Sequence, residues 1–325
     1  MLKWSVSTKR LWNVWFSVSW PEPCVLAFFI DVQYIFIMPP IYNYKSKKAG
    51  PHVLFFGAIH GRETCGTVAL KKLADKISAG SLRLQKGSVT CVPVCNPKAF
   101  SEGERYCEEN LNRVFKRHKH PKSYEAKLAN ALIGVVDRCD VLVDIHSYSA
   151  SSTPFVFLDY GTKASRHLAE SVGIPKIIKG WAALYGRVEE VNPKQASYDT
   201  ARYAHEHGKV SLTVECGKHH SVSAERVAYR TVLNTLKHFG IIAGRRAGLK
   251  TVKQKLFQLD RVYFKDSAED VLAKCWKNFE PVSRGQAIAR RADGSVIAAP
   301  YQGFVVLPKQ NPPVGDEWFY LAKSE

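Results

Sequence analysis

The sequence predicts an α/β protein with a mixed, mostly parallel sheet that carries helices on both faces, followed by a small C-terminal β-rich domain. Three observations support this prediction. Continuous apolar runs such as 52–59 and 141–145 have the pattern of strands that are buried on both faces. Segments with helical spacing alternate with these runs, which is typical of a sheet covered by helices. Helical periodicity is lost after Ile241, where glycine and proline separate short apolar stretches.

The first half of the chain alternates predicted strands and helices. Residues 52–59 (HVLFFGAI) form the first buried strand, and 67–77 (TVALKKLADKI) have the spacing of a helix. A second strand is predicted at 88–95, close to a sheet edge because Pro93 has no N–H for a strand ladder. The run 123–138 has the apolar face of a helix, and its first residue is a serine suited to the N-cap.

The alternation continues to about residue 240. A buried strand at 141–145 follows the second helix, and the next predicted elements are two strands and a helix at 154–158, 209–214 and 224–239. Beyond a polar, basic segment, the remaining apolar stretches are short and lie at 296–299, 304–307 and 318–322. The chain therefore divides into three predicted parts: an extension of uncertain structure at 1–40, a main α/β domain at 41–245 and a β-rich domain at 250–325.

The N-terminal extension contains two apolar runs, 11–20 and 24–38, which a Pro-Glu-Pro segment separates. Neither run has the ~20 apolar residues that a spanning helix needs, so no stable membrane span is expected. A secretory signal is less favoured because no clean small-residue cleavage site follows the first run. An added strand or a loosely ordered extension is the preferred interpretation.

The composition is that of a basic globular protein. Of 325 residues, 47 are Lys or Arg and 29 are Asp or Glu, which gives a formal net charge of +18. Such a charge attracts anions of any kind, but the sequence carries no RNA-binding or helix-turn-helix signature, so no nucleic-acid partner is expected. The eight cysteines form no CxxC pair and no regular framework, which indicates reduced thiols in a cytoplasmic protein.

Two of the predicted strands end in residues that bind metal ions. His60 and Glu63 lie three positions apart in the turn after the strand 52–59, and His146 closes the strand 141–145. Because the carboxyl ends of parallel strands meet at one edge of a sheet, we expect the three side chains to lie close together. Two histidines and one carboxylate are the composition of a catalytic zinc site that keeps a fourth position for water. Each motif alone also fits an ordinary polar residue; together they predict one zinc ion per chain.

Four further polar residues lie near the same strand ends. Glu215 ends the run 210–214, where a carboxylate can act as general base toward water and pass the proton to a leaving nitrogen; its alternative role is a buried ion pair. Arg105 is suited to polarise a scissile carbonyl and hold the oxyanion. Arg113 suits a substrate carboxylate because guanidinium pairs with it through two parallel hydrogen bonds, and Asn112 adds a neutral donor. On so basic a protein, the alternative for each arginine is a solvated surface charge.

The order and the residue types of these motifs resemble the succinylglutamate desuccinylase/aspartoacylase family, which shares the zinc carboxypeptidase fold. The resemblance covers about residues 50–325. It departs from the family at Arg62, where asparagine is commoner, and over the first forty residues. Five motifs in sequence carry it: GAIHGRE at 57–63, NP at 96–97 with Arg105, NRVF at 112–115, DIHS at 144–147 and VECG at 214–217.

The resemblance also implies a role for each residue and for each domain. Residues 41–245 would be a zinc carboxypeptidase-like catalytic domain, and the β-rich domain at 250–325 would cap the substrate channel. Arg202 is the nearest candidate for a carboxylate-binding arginine that family members carry upstream of the base. The implied roles are zinc binding for His60, Glu63 and His146, general base for Glu215, oxyanion binding for Arg105, and binding of a substrate carboxylate for Asn112, Arg113 and Arg202.

The expected function is therefore a zinc-dependent deacylase that hydrolyses the amide bond of a small N-acyl amino acid. One alternative is a zinc carboxypeptidase acting on a small peptide, which would use the same metal set but is disfavoured by a capped channel. A second alternative is a non-catalytic protein that binds anions or nucleic acid through its positive charge. The sequence leaves the acyl group, the amino acid and homo-oligomerisation open.

Overall fold

The computed structural model describes residues 38–149, 152–191, 197–244 and 253–324. Residues 38–325 cluster into one compact unit by their contacts. The predicted extension at 1–40 lies almost entirely outside the described residues, since only its last three positions are described.

Fourteen strands and seven α-helices occur among the described residues. The helices are α1 (Cys65–Ser78), α2 (Pro97–Glu102), α3 (Tyr124–Val136), α4 (Lys163–Val172), α5 (Trp181–Val191), α6 (Thr200–Glu206) and α7 (Val222–His238). The strands are β1 (Tyr42–Lys45), β2 (His52–Gly57), β3 (Ser88–Val92), β4 (Val141–Tyr148), β5 (Phe155–Phe157), β6 (Lys176–Lys179), β7 (Val210–Lys218), β8 (Lys255–Phe264), β9 (Val271–Leu272), β10 (Glu280–Val282), β11 (Ala287–Arg290), β12 (Val296–Ala298), β13 (Gly303–Val306) and β14 (Glu317–Ser324).

One mixed sheet contains eleven of these strands in the order β1-β3-β2-β4-β7-β5-β6-β8-β14-β13-β10. The strands β3, β2, β4 and β7 are parallel neighbours, and so are β5, β6 and β8. The pairs β1–β3, β7–β5, β8–β14, β14–β13 and β13–β10 are antiparallel. All eight residues of β4 are buried, because this strand lies in the middle of the parallel region and is covered on both faces.

Helices cover both faces of the parallel region, as the sequence predicts. Side chains of β2 alternate between the two faces: Val53 and Phe55 belong to a core that also contains buried residues of α1, α4 and α7. On the other face Phe56 packs edge-on against Phe115, and Phe115 packs in the same way against Tyr203 of α6. The sheet is therefore a central layer between helices, which is the arrangement that places functional groups at strand ends.

Most of the predicted elements are present with shifted ends. Helix α1 begins at Cys65, two residues before the predicted start, and Ser123 caps α3 by accepting a hydrogen bond from the Ala126 N–H at 3.1 Å. Strand β3 ends at Val92, so Pro93 follows it and does not interrupt the ladder. The short strand β1, which the sequence did not predict, forms the sheet edge, and β3 lies second from that edge.

The C-terminal part of the chain is rich in strands. Strand β8 pairs with β6, and β14, β13 and β10 extend the same sheet, whereas β9, β11 and β12 form a separate three-stranded sheet. Trp276, Trp318 and Phe319 belong to a core cluster of their own. A domain boundary at about residue 250 stays a prediction, since the hydrogen-bond ladder from β6 to β8 joins the two sides of it.

The helices that the structure describes include none that combines the length and the apolar character needed to cross a lipid bilayer.

Candidate metal centre and active site

Three neighbouring parallel strands deliver the candidate residues to one edge of the sheet. The turn after β2 carries His60 and Glu63, β4 carries His146, and β7 carries Glu215. In the ladder between β4 and β7, His146 is paired in register with Glu215. Because the carboxyl ends of these strands coincide, the predicted metal set and the predicted base are neighbours.

The turn that carries the first two residues has little room for side chains. A Cβ atom on Gly61 would lie 2.2 Å from the carbonyl carbon of Ala99, which no real contact allows. The Gly61 N–H donates to the Arg105 carbonyl at 3.1 Å, so the same close approach joins this turn to the segment that carries Arg105. Glycine at position 61 is therefore required by the packing of two loops, and the packing places Arg105 beside the metal set.

The carboxylate of Glu63 joins the two histidines. Its Oε1 lies 2.8 Å from Nδ1 of His60, and its Oε2 lies 2.8 Å from Nδ1 of His146. The backbone N–H of Ser147 also donates to Oε2 at 3.2 Å. One ligand atom from each of the three residues lies within 4.8 Å of the others, and all three side chains are buried. These residues could hold one metal ion.

The tautomer of His60 supports a metal at this position. The side-chain oxygen of Asn110 accepts the Asn112 N–H at 3.0 Å and lies 3.0 Å from Nε2 of His60, so Nε2 carries the ring proton. In the neutral ring Nδ1 then has a bare lone pair, which faces Oε1 of Glu63. Two electron-pair donors at 2.8 Å repel each other unless a cation binds both. The donor set therefore fits a divalent metal ion.

The second histidine has a carboxylate on its outer side, within 3.0 Å but without the alignment of a hydrogen bond. Oδ2 of Asp144 lies 3.0 Å from Nε2 of His146 and accepts a hydrogen bond from the Thr200 hydroxyl at 2.6 Å. A carboxylate behind a ligating histidine fixes the ring orientation and makes the facing nitrogen a better ligand. Both imidazoles thus turn Nδ1 toward Glu63 and Nε2 toward an oxygen on the outer side.

The pKa values in the cluster follow from these contacts. Burial is the main cause that lowers the pKa of His60 to about 4, and the positive charge of Arg105 is the second cause. Burial opposes ionisation of Glu63, but the two histidines hold the pKa of Glu63 well below its usual range. Burial also opposes protonation of His146, but Asp144 and Glu63 hold the pKa of His146 well above its ordinary value. Glu63 therefore stays ionised between the two rings, and its negative charge suits a bound cation.

The carboxylate of Glu215 lies beside this cluster and has an unpartnered oxygen. Its Oε2 is buried and has no hydrogen-bond partner within the part of the chain that the structure describes. Burial, followed by repulsion from Glu63, raises the pKa of Glu215 to about 8. A carboxylate oxygen that is buried without a partner is unusual in a structural role, and a raised pKa is a common property of catalytic carboxylates.

The three other predicted residues of this region have different surroundings. Arg105 donates from Nη1 to Oε1 of Glu63 at 3.2 Å. The side-chain oxygen of Asn112 accepts the Thr200 N–H at 3.3 Å. Arg113 donates from Nε to Glu317 of β14 at 3.1 Å, so a carboxylate of the protein itself occupies the fork that was assigned to a substrate. The side chains of Arg105, Asn112 and Arg113 all line a cavity above the metal set. Their roles toward a substrate stay predictions.

Arg202 does not line this cavity in the described structure. It lies on α6, where Nε donates to Glu206 at 2.9 Å and Nη1 donates to Glu189 at 3.3 Å. The guanidinium also lies 4.4 Å from the ring centre of Tyr198. The structure thus brings seven of the eight predicted residues to one cavity and places Arg202 elsewhere, so its substrate role stays a prediction without geometric support.

A cavity of about 580 Å³ opens above the cluster. Its wall includes the metal set, Glu215 and Arg105, together with Tyr148, Trp181 and residues of the C-terminal part of the chain. The C-terminal residues in the wall include Lys309, Glu317 and Tyr320. Volumes of this size are typical of sites for small molecules.

Several residues that organise the site were given no role from the sequence. Asn110 and Asp144 lie behind the two histidines. The sequence offered a signal for Asp144, because an acidic residue inside an apolar strand needs a partner. Glu317 lies 204 positions from Arg113, and sequence spacing gives no signal for such a pair. His219 also lies in the cavity wall.

Residues 49–239 match the family model described as the succinylglutamate desuccinylase/aspartoacylase catalytic domain. A succinylglutamate desuccinylase from Pseudomonas aeruginosa is 31% identical over 106 residues, which are 30% of this chain and 31% of the relative, so the match spans about a third of that relative's length. A succinylglutamate desuccinylase from Burkholderia pseudomallei is 27% identical over 287 residues, which are 81% of this chain and 76% of the relative.

Solved structures agree at the level of the fold. A succinylglutamate desuccinylase/aspartoacylase from Rhodobacter sphaeroides has a TM-score of 0.69 at 22% sequence identity, with coverage of 88% of this chain and 89% of that chain. The likeness extends beyond residue 239, where the family model ends, into the strands of the C-terminal part. The family model itself covers more than half of the sequence, and the chain therefore belongs to the succinylglutamate desuccinylase/aspartoacylase family.

Proposed function

We propose that this protein is a zinc-dependent deacylase that hydrolyses the amide bond of an N-acyl amino acid. The observation that carries the proposal is the convergence of His60, Glu63 and His146 beside Glu215, whose buried Oε2 has no partner among the described residues. Two histidines and one carboxylate suit zinc and keep a coordination position for water or substrate. A neighbouring base completes the groups that metal-assisted hydrolysis needs.

The chain's own residues have distinct tasks in this proposal. Glu215 takes a proton from the attacking water and passes it to the nitrogen of the leaving amino acid, and its raised pKa suits both transfers. Arg105 stabilises the negative charge that develops on the carbonyl oxygen, because its guanidinium already lies at the edge of the metal set. A divalent ion in the His60–Glu63–His146 set supplies Lewis-acid chemistry for the water and the carbonyl.

The size of the cavity favours a small N-acyl amino acid over a polypeptide. In this proposal residues 250–325 cap the channel, since Lys309, Glu317 and Tyr320 contribute to the wall of the same 580 Å³ cavity. A carboxypeptidase needs a path for a longer chain, so this capped site disfavours that alternative. A protein that only binds anions has no use for a buried, unpartnered base, and the second alternative is disfavoured for that reason. A cytoplasmic location belongs to the same proposal.

The test is a comparison of N-acyl amino acids with dipeptides as substrates of the zinc-loaded full chain. We expect release of free amino acid from N-acyl amino acids, loss of this activity on chelation and recovery when zinc is restored. Faster hydrolysis of dipeptides would support the carboxypeptidase alternative. No hydrolysis of either class, together with tight binding of nucleic acid that weakens as salt is raised, would support the binding protein instead.

A further inference from the structure

Strand β7 leaves the regular ladder directly after Glu215. Up to that residue it pairs with β4 one residue to one, and Glu215 lies opposite His146. The next pair in register is Tyr148 with Lys218, so one residue of β4 faces the two residues 216–217 of β7. This arrangement is a β-bulge, which is rare between parallel strands and which, next to an active site, redirects a side chain. The direction of Glu215 therefore depends on how the bulge at 216–217 is held.

The backbone of the bulge and of the turn after it has an uncommon conformation. Gly217 has a φ of 123°, which residues with a side chain rarely adopt. His220, three residues later, has a φ of 54°, an uncommon value for a residue other than glycine. Such conformations persist where surrounding contacts hold them. The path of the chain after Glu215 is therefore set by contacts with its neighbours.

Two hydrogen bonds of His219 join this turn to the end of β4. The backbone N–H of His219 donates to the Tyr148 carbonyl at 2.9 Å, and Nδ1 of the ring lies 2.8 Å from the Ser147 hydroxyl. Burial lowers the pKa of His219 below its ordinary value, and the neutral ring accepts the Ser147 proton at Nδ1. His219 thus spans the bulge with its backbone and with its ring.

The carboxylate of Glu215 receives less support from hydrogen bonds. Its buried Oε2 has no partner among the residues that the structure describes. Its position therefore follows from the backbone that carries it. Ser147, the residue opposite the bulge, also donates its N–H to Oε2 of Glu63 at 3.2 Å. The bond between His219 and Ser147 thus connects the strand of the base to a residue that contacts the metal set.

We propose that His219 is a positioning residue, whose hydrogen bond to Ser147 closes the bulge at 216–217 and fixes the direction of Glu215 relative to the metal set. The inference rests on the deacylase function proposed above. His219 acts here through Ser147 and the backbone, and it needs no contact with the substrate. A shift of about 1 Å in a catalytic group can cost about 10²-fold in rate, so loss of this bond should lower kcat.

The experiment compares variants of the zinc-loaded full chain. His219→Leu removes the ring, Ser147→Ala removes the hydroxyl, and His219→Asn keeps a polar group near the position of Nδ1 but lacks Nε2. We expect His219→Leu and Ser147→Ala each to lower kcat about 10- to 100-fold and to change KM less than about threefold. The double variant should lose no more than the larger single loss, because both changes remove one bond. His219→Asn should recover kcat to within about threefold of wild type.

Amide hydrogen exchange measures the same bond without turnover. The N–H at position 219, which bonds to Tyr148, should exchange about 3- to 10-fold faster in His219→Leu and in Ser147→Ala, and at about the wild-type rate in His219→Asn. Zinc content should stay at the wild-type value in all variants. His167→Leu, the same exchange at an exposed position of α4 outside the cavity wall, is the matched control and should change none of these quantities.

Each result supports or overturns the positioning role. Additive losses in the double variant, or a His219→Asn variant as impaired as His219→Leu, would overturn it. A raised KM with unchanged kcat would also overturn it, because this pattern indicates direct contact of the ring with the substrate. A wild-type protein without hydrolysis but with the expected exchange pattern would reject the deacylase and retain His219 as the residue that holds the bulge.

Discussion

Arg113 donates from Nε to Oε1 of Glu317, and Lys309 donates to the second oxygen of the same carboxylate at 2.9 Å. Tyr185 adds a hydrogen bond to Oε1, also at 2.9 Å. The pair joins the 3₁₀ turn Leu111–Arg113, which carries Asn112, to the last strand of the sheet. The wall of the active site therefore depends on a largely buried ion pair between distant parts of the chain, with side chains 21% and 12% exposed.

The first prediction concerns the stability of this pair. Glu317→Gln removes the negative charge and leaves the largely buried Arg113 without its counter-ion, so the free energy of unfolding should fall by up to about 3 kcal/mol, less than for a fully buried pair. Denaturant unfolding of the two proteins at pH 7 measures the difference. Glu269→Gln changes the same residue type at an exposed position and should have little effect. Equal losses in the two variants would show that the pair contributes nothing specific.

The second prediction is the pH dependence of that difference. Burial opposes ionisation of Glu317, but Arg113 and Lys309 hold the pKa of Glu317 well below the 4.5 of an unfolded glutamate. A group with a lowered pKa stabilises the folded state above its unfolded pKa, and this stabilisation is lost as the pH falls through the folded pKa. The gap between wild type and Glu317→Gln should be constant above about pH 5.5 and shrink below pH 4.5. A gap that widens on acidification contradicts this assignment.

The third prediction concerns Glu125, which organises the loop that carries Arg105. This fully buried carboxylate accepts hydrogen bonds from Asn96 and from the backbone N–H groups of Cys107, Glu108 and Glu109. Glu125→Gln exchanges one acceptor oxygen for a donor that faces these N–H groups. We expect a loss of about 10- to 100-fold in kcat/KM, because a small shift of Arg105 weakens its hold on the oxyanion.

The metal content of Glu125→Gln separates a positioning role of Glu125 from a general structural defect. The metal content should stay at the wild-type value, because His60, Glu63 and His146 do not contact Glu125. Lys127→Gln, at an exposed position of the same helix, is the matched control and should behave like wild type. If activity falls only in proportion to lost metal or lost folded protein, Glu125 does not position Arg105.

The fourth prediction separates the base from the metal ligands. Glu215→Gln should keep the metal and lower kcat about 10²- to 10⁴-fold, because the amide cannot take the proton from water. Kinetics and metal analysis on the same preparation measure both properties. Glu190→Gln, at an exposed position of α5, should leave both unchanged. Turnover at the wild-type rate in Glu215→Gln would remove this residue from the mechanism.

The sequence alone predicts which residues meet at the carboxyl ends of the parallel strands. Apolar runs identify β2, β4 and β7, and parallel strands place their carboxyl ends at one edge, so the residues that follow these runs converge. The pairing of His146 with Glu215 in the β4–β7 ladder is a direct consequence. Local rules also placed the N-cap of α3 at Ser123, since that contact spans only three residues.

Contacts between distant segments could not be predicted in the same way. The partner of Arg113 lies 204 positions away, in a part of the chain where short strands give a weak periodic signal. For Arg202, the spacing of four to Glu206 is a local signal for an ion pair on a helix surface, and this pair competes with the predicted role in substrate binding. The edge strand β1 was missed because four mostly exposed residues have no apolar run.

The most direct test of the account is the metal content of the full chain and of His146→Ala. Elemental analysis of zinc-loaded, dialysed protein should give one zinc per chain for the wild type. The His146→Ala variant should fold but retain much less zinc, because it keeps only His60 and Glu63 of the set. A variant that still binds one zinc per chain as tightly as the wild type would contradict the ligand assignment on which the proposed hydrolysis depends.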